Sequence, residues 1–557
     1  MSAAILLYAI PGVPIGLTLL ALLPASRAVL IHTLPFAALP ALGAALFLPA
    51  GSTQMLPEVL LGAQLKLDGT GRLFLGIAAL LWTVAGIYAR SSIGGEGRER
   101  FAGFWLTTLS GNMLLLIAAD LVTFYLAFVT LSLAAFGLVV QSETAEARRA
   151  SRIYLALAVF GETLLLLGLM VAAAGAGSIL IGDARAALPL SPDRDLALVL
   201  LLGGFGLKAG LVPLHMWLPL AHPAAPVPAS AVLSGAIVSA GIFGLIRFLP
   251  LEANLPGWSV IMTVLGLVTS FYGILAGVFQ RRPKTVLAYS TLSQMGLVIV
   301  ILGSGFGAPA AAPVLAAAGF YVAHHGLAKG ALFLSVGLLH DTGGQRRTVA
   351  LAVTAVLALA IAGLPLTGGA LAKLAAKETL ASGLVANLVT LSAAGSTLLM
   401  LRFVQLVRRE QVAPHIRPTA APAVAFTLCA AAALILPWLL LPGTGLAASY
   451  AFAGAVLWQA LWPIAIGLAV FTAALRLRRP PPDVPEGDIV VLAERVFYRL
   501  KEQALAIHRP AWSMPRLHRI GIVSARVLDR AEAAFARWSL AGPTVLFVGI
   551  AAAVASS

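Results

Sequence analysis

A lysine inside an apolar run can hold a proton where almost no other group could. The stretch GLKAGLVPLHMWLPLAHPAAPVP, residues 206–228, sets Lys208 directly after ALVLLLGGF and follows it with Pro213, His215, Pro219 and His222. Other charges of this kind recur along the chain. Glu162 lies in RIYLALAVFGETLLLLGLMV, and Lys373 lies in IAGLPLTGGALAKLAAKE behind Pro365 and Gly368. His325 and Lys329 lie in FYVAHHGLAKGALFLSVGLL, where the four-residue spacing puts them on one helix face with Tyr321 another four back. Each such charge costs on the order of 3 kcal/mol at the centre of a bilayer unless it meets a partner or a wet cavity. A lysine and a glutamate at that depth can trade a proton, because burial disfavours both charged forms while each charge favours the other.

The elements that position these residues are membrane helices. Of 557 residues, 60% are hydrophobic and only 11% are charged, with a mean hydropathy of +0.96. Apolar segments of roughly 20 residues recur along nearly the whole chain, which predicts an all-α polytopic transmembrane protein of about 14 to 16 spans. The segment SAAILLYAIPGVPIGLTLLALLP lacks a basic start and a small-residue cleavage site, so it reads as the first span. The single cysteine, Cys429, cannot build an iron–sulfur cluster alone. No convincing GxGxxG follows a strand, so neither NADH nor flavin is expected, and no residues are assigned to a cofactor or a metal.

The formal net charge of +15 could suggest nucleic acid, but the basic residues are placed otherwise. With the N-terminus outside and the spans alternating, the inner loops hold Arg90, Arg98 and Arg100; Arg148, Arg149 and Arg152; Arg281, Arg282 and Lys284; Arg346 and Arg347; Arg408, Arg409 and Arg417; and Arg476, Arg478 and Arg479. The outer loops hold only Lys66, Arg72, Arg185, Arg194, Arg247 and Lys377. That asymmetry is the positive-inside pattern, so the charge orients the chain in a membrane and implies no nucleic-acid partner. After Arg479, RPPPDVPEGD predicts an extended linker at the inner surface. Residues from about Ile489 to Ala506 and from Leu517 to Trp538 have the helical spacing of amphipathic surface helices, and Leu540 to Val554 is a short final span.

Plain structural readings compete at several sites. Lys208, Lys329 and Glu162 could form buried structural ion pairs, although buried charge is a poor source of stability. His325 alone could be a hydrogen-bonded core histidine. Lys284, just after Pro283 at a helix start, reads from spacing as a positive-inside anchor. Lys377 and Glu378 read as a surface pair, and His215 and His222 as weak candidates near the inner mouth. Two helices are nevertheless broken in comparable settings, at VPLHMWLPLAHPAAP after Lys208 and at LPLTGGALAK before Lys373. Backbone groups freed at membrane depth are tolerated where they line a polar cavity, and paired broken helices are a mark of transporters built from inverted repeats.

The runs GLKAGLVPLHMWLPLAHPAAPVPASAVLSGAIVSAGIFGLIR, RRPKTVLAYSTLSQMG, HHGLAKGALFL and LPLTGGALAK resemble, in order and from about residue 60 to 410, the antiporter-like subunits of respiratory complex I, the membrane-bound hydrogenases and the Mrp antiporters. The wording is most similar to the hydrogenase-4 type. The resemblance implies two inverted five-helix repeats, each with one broken helix, with Pro213, Pro219, Pro365 and Gly368 at the breaks. It implies that Lys208 is the central lysine of the first half, Lys284 and Lys329 connecting lysines, His325 a bridging histidine and Lys373 the lysine of the exit half. Glu162 resembles an acid that some members carry on the neighbouring helix.

One departure stands out. Members usually carry a Trp-Glu pair on the fifth helix, and LVTFYLAFVTLSLAAFGLVV has Phe128 and Val129 there. The expected divisions are N-terminal helices to residue 95, a first repeat at 96–250, a second at 251–410, C-terminal helices at 411–476, a linker with surface helices at 477–540 and a terminal helix at 541–557. The resemblance implies a proton-translocating subunit with no bond chemistry of its own, inside a larger complex in a bacterial cytoplasmic membrane. Its partners would be other membrane subunits, the lipid bilayer and protons or sodium. The alternatives are the proton channel of an inorganic-carbon uptake system and an Mrp-type cation/proton antiporter.

Overall fold

The computed structural model describes residues 3–477 except 96, 309, 381–382 and 413–419, and beyond them 482, 484–487, 489–491, 494, 496 and 499. Within these residues the chain is predominantly helical, and twelve helices are long and apolar enough to cross a membrane. The N-terminal region accounts for much of the difference from about 14 to 16 segments of spanning length. Prolines cut it into the helices Pro24–Thr33 and Leu39–Phe47, of 10 and 9 residues, and Ala4–Leu20 is a shorter apolar helix. Arg98–Ile117 has 20 residues but opens on Arg98, Glu99 and Arg100. The expected surface helices from about Ile489 to Trp538 and the final run Leu540 to Val554 lie, but for a few positions, outside the described residues.

Among the described residues the only strands form one hairpin, Ser52–Leu56 paired antiparallel with Ala63–Leu67, an addition to the all-α class. It caps one end of the bundle. Gln64 N donates to Asp120 Oδ2 (2.8 Å), and Asp120 Oδ1 caps the helix Leu121–Val139 by accepting from Thr123 N (2.7 Å). Asp68 does the same for Gly69–Ser92, accepting from Gly71 N at 2.7 Å. Each cap satisfies an amide that the first helical turn leaves without a partner.

The helices Val227–Phe248, Pro283–Gly305 and Ala311–Asp341 lie at the centre and are almost wholly buried. Pro256–Val278 sits outside them and exposes Val260, Val264 and Val268 at four-residue spacing, the stripe a helix shows to lipid. The charged loops pair within two groups. On one side Arg282 meets Glu146 and Glu486, Arg149 meets Glu494 (2.6 Å), and Arg347 donates to Glu410 O (2.7 Å). On the other, Asp68 meets Arg247, Arg185 meets Glu252 (3.6 Å), and Trp258 Nε1 donates to Asp195 Oδ1 (2.9 Å). The described part of the linker lies against the first set, with Gln280 Nε2 reaching Val484 O and Thr285 Oγ1 donating to Glu486 Oε1 at 2.9 Å.

Asp68 lies outside the spans. Burial pushes its carboxyl up, but Arg247 and the Gly71 amide outweigh burial and hold it below its ordinary value. A carboxylate depressed in the folded state stabilises above its unfolded value and loses that contribution as pH falls through the folded one. Asp68→Asn keeps the cap and loses the ion pair, whereas Arg247→Ala also removes the guanidinium from its place 4.8 Å from the Phe243 ring centroid. Arg247→Ala is expected to cost roughly 1–2 kcal/mol and Asp68→Asn less. Thermal unfolding of the purified protein at neutral pH checks the order, and the gap between wild type and Asp68→Asn should narrow under acid.

Candidate functional site

The helix Arg194–Ala209 ends just beyond Lys208 because Gly210 turns left-handed (φ 82°), which an L side chain rarely adopts. Leu211 N then closes on Gly206 O (2.8 Å) and Gly210 N on Leu207 O (3.1 Å). Gly344–Ala362 ends the same way. Gly363 (φ 106°) turns left-handed, Leu364 N closes on Leu359 O (2.9 Å), and Gly363 N closes on Ala360 O (3.0 Å). Both breaks fall where proline interrupts the chain, with Pro213 and Pro219 after the first and Pro365 after the second, and Gly368 starts the next helix, Gly368–Thr379. Side chains reach backbone carbonyls at both breaks: Trp217 Nε1 donates to Leu207 O (2.8 Å) and Lys373 Nζ to Ala362 O (2.5 Å).

Lys208 is 3% exposed and sits in a cage of aromatic rings, 5.4 Å from the Tyr154 centroid and 5.8 Å from those of Phe128 and Trp217. Ring faces attract an ammonium that has left water. Its Nζ donates to Ser132 Oγ (2.8 Å) and Tyr154 Oη (3.1 Å), and Tyr154 Oη donates on to Ser132 O (2.7 Å). Glu162 is also buried. Lys208 is the cation that acts on it, and the Ser132 hydroxyl lies beside its carboxyl. One Glu162 oxygen has no hydrogen-bond partner.

Phe128 and Ser132 are one turn apart on Leu121–Val139, the helix that carries Val129. The face expected to lack an acid therefore supplies a ring and a hydroxyl to the lysine. Neither Ser132 nor Tyr154 is legible in the sequence, because a serine and a tyrosine are ordinary on an apolar helix and only the fold turns both toward Lys208. Glu162→Gln is expected to slow any proton exchange at Lys208 several-fold, about 1 kcal/mol of barrier, by removing the charge that favours the ammonium. Ser132→Ala should do less, since Tyr154 remains a partner. The pH dependence of ion flux in the reconstituted protein reads both.

Three further basic groups meet at the next layer. Lys284 is half-buried with its Nζ turned inward to Ala225 O (2.6 Å), so it is more than a surface anchor, and Lys329 donates to Leu287 O (2.9 Å). His222, a weak candidate by sequence, is fully buried; Lys284 and Lys329 both act on it, and its ring stacks on Phe333 at 4.6 Å. His215 packs edge-on against Tyr272 at 5.0 Å. His325 is buried and both ring nitrogens lack a protein partner. Beside it Tyr321 Oη donates to Gln294 Oε1 (2.7 Å), and Gln294 Nε2 to Ser396 Oγ (3.2 Å).

Lys373, 8% exposed, borders a cavity of about 40 Å³ with Lys377, Thr390 and Gln459. That volume holds a water molecule. Lys377 Nζ reaches Gln459 Oε1 (3.4 Å) instead of forming the surface pair with Glu378 that adjacency suggests. The fold thus places Glu162, Lys208, Lys284, His325, Lys329 and Lys373 in buried or half-buried settings, with Lys208 at the first break and Lys373 at the second. Among the described residues no His, Cys, Asp or Glu cluster could hold a metal ion.

The family model described as NADH:quinone oxidoreductase/Mrp antiporter, TM, matches residues 118–401, which contain both broken helices and every one of these groups. The chain belongs to that antiporter family. Among curated relatives, it is 31% identical over 289 residues to hydrogenase-4 component B of Escherichia coli (strain K12), covering 49% of this chain and 43% of that one. It is 32% identical over 334 residues to a component of a probable K(+)/H(+) antiporter of Rhizobium meliloti (strain 1021), covering 57% of this chain and 33% of that one. The chain spans about half or less of the length of the curated relatives it matches. The antiporter-family fold extends further than the sequence match. The Mrp complex from Dietzia sp. DQ12-45-1b superposes with a TM-score of 0.71 at 21% identity over 96% of this chain and 63% of that one. An archaeal membrane-bound sulfane sulfur reductase superposes with a TM-score of 0.66 at 18% identity over 85% of this chain and 99% of its own.

Proposed function

We propose that this chain is the proton-translocating, antiporter-like subunit of a larger complex in a bacterial cytoplasmic membrane. Protons pass between its two broken helices through Lys208, Lys284, Lys329 and Lys373, assisted by Glu162 and His325. Two inverted repeats, 96–250 and 251–410, would contribute one break each. The observation that carries this reading is the row of buried or half-buried amines bonded to uncharged partners, hydroxyls at Lys208 and backbone carbonyls at Lys284, Lys329 and Lys373, with the His325 ring nitrogens unpartnered, rather than held in closed ion pairs. Stability does not explain it, since buried unpaired cations are destabilising. Groups that gain and lose protons do.

Relatives named for K(+)/H(+) and Na(+)/H(+) antiport favour a second reading, exchange of a proton for a metal cation. The composition of the row weighs against it as the main path. Sodium needs several oxygen ligands, and this row repels a cation while binding a proton. The test is to purify the complex with its natural partners and reconstitute it in liposomes with an entrapped pH dye and labelled sodium. A potential-driven pH change that persists when sodium is replaced by choline supports proton translocation. Obligatory sodium movement with each proton would establish exchange instead.

A further inference from the structure

His324 belongs to none of the roles above, although it stands next to His325. Consecutive residues of a helix point about 100° apart. His325 therefore shares its face with Tyr321 and Lys329, and His324 looks away from it. The surroundings agree: an added methyl at Gly368 would lie 2.4 Å from His324 Nδ1, and one at Gly369 would lie 3.2 Å from Nε2. The ring is thus seated against the N-terminal turn of Gly368–Thr379, in the second helix break, and only glycine leaves room for it. His324 is 3% exposed and neither ring nitrogen has a hydrogen-bond partner; the Ala360 carbonyl lies near the ring without closing a bond of ordinary geometry. Lys373 lines the same break. A methyl at Gly363 would lie 3.4 Å from its Nζ, and its own bond goes to Ala362 O.

The geometry points to His324 as the proton carrier that joins the Lys329 face to Lys373 across the second helix break. An imidazole buried without a partner is costly to keep unless it is used, because each unsatisfied nitrogen forfeits the hydrogen bond it had in water. Two adjacent histidines at a 100° offset turn a corner that one could not. The transfer moves protons only. A proton reaching one nitrogen of the neutral ring makes imidazolium; the proton on the other nitrogen then leaves toward the neutral Lys373 amine, which becomes ammonium. The ring returns to neutrality with its tautomer exchanged, and rotation in the glycine-lined space resets it.

This inference rests on the proposed proton route. Its test compares His324→Gln and His324→Leu with wild type in the reconstituted complex, reading assembly by size-exclusion profile and proton flux by entrapped dye. Glutamine fits the space and keeps hydrogen-bonding capacity but cannot carry a proton, so both variants should assemble and lose about tenfold or more in flux. An assembled His324→Gln complex with wild-type flux overturns this inference alone. Failure of both variants to assemble also overturns it, since the ring would then be structural. A wild-type complex without proton flux overturns the proposed function and this inference with it.

Discussion

Lys208→Ala is expected to abolish proton transfer while the complex still assembles. The substitution removes a charge whose burial opposes folding, and the surrounding bonds survive it. Tyr154 still donates to Ser132 O, and Trp217 still takes Leu207 O, so the break keeps its shape. What is lost is the one group in the aromatic cage that can hold a proton. Passing a charge through that place unaided costs on the order of 3 kcal/mol, which corresponds to roughly a hundredfold in rate. Polypeptide composition by native gel and flux by entrapped dye check the two halves of the expectation. Normal flux in an assembled variant would remove Lys208 from the route.

Lys329→Met is the second large effect. Methionine fills most of the space left by the lysine, and the Leu287 carbonyl keeps its bond from Thr291 Oγ1 (3.2 Å), so the cost in stability should stay at about 1 kcal/mol. The flux should fall by tens of fold, because Lys329 stands between the His222 and Lys284 layer and the histidines that lead to the second break. His340→Ala supplies the comparison. It lies at the end of the same helix, half-exposed and paired with Asp341 at 2.8 Å, where loss of the ring should leave flux within about twofold of wild type. Equal losses in the two variants would indicate a disturbed helix and not a blocked route.

Membrane character, the two breaks and the buried charges are legible in the sequence for one physical reason: hydrocarbon makes a lysine or a proline costly, so each one present stands out against its neighbours. Lys208, Lys329 and Lys373 can be picked out on that ground alone. Residues that are ordinary in hydrocarbon carry no such signal. Ser132 and Tyr154 acquire meaning only when two helices turn them toward Lys208. The prolines around His222 suggest a loop at the inner mouth, yet the ring packs at full burial beside Lys284 and Lys329. The hairpin Ser52–Leu56 with Ala63–Leu67 is hidden because its strands are only five residues each and mix Ser52, Thr53, Gln54, Gln64 and Lys66 with apolar residues, so in sequence they read as a polar break between spans. Val129 cannot titrate, as its residue type dictates, but the compensation on its own helix, Phe128 against the lysine and Ser132 bonded to it, depends on contacts that sequence spacing does not reveal.

The most direct measurement is proton flux in liposomes for the four variants Lys208→Ala, Lys284→Ala, Lys329→Ala and Lys373→Ala, each assembled in the complete complex and compared at one imposed potential. A single route in series predicts that every one of them falls to about a tenth of wild-type flux or less, since any missing carrier limits the whole path. Near-normal flux in an assembled complex lacking any one of Lys208, Lys284, Lys329 or Lys373 would contradict a continuous proton path in series through the two broken helices.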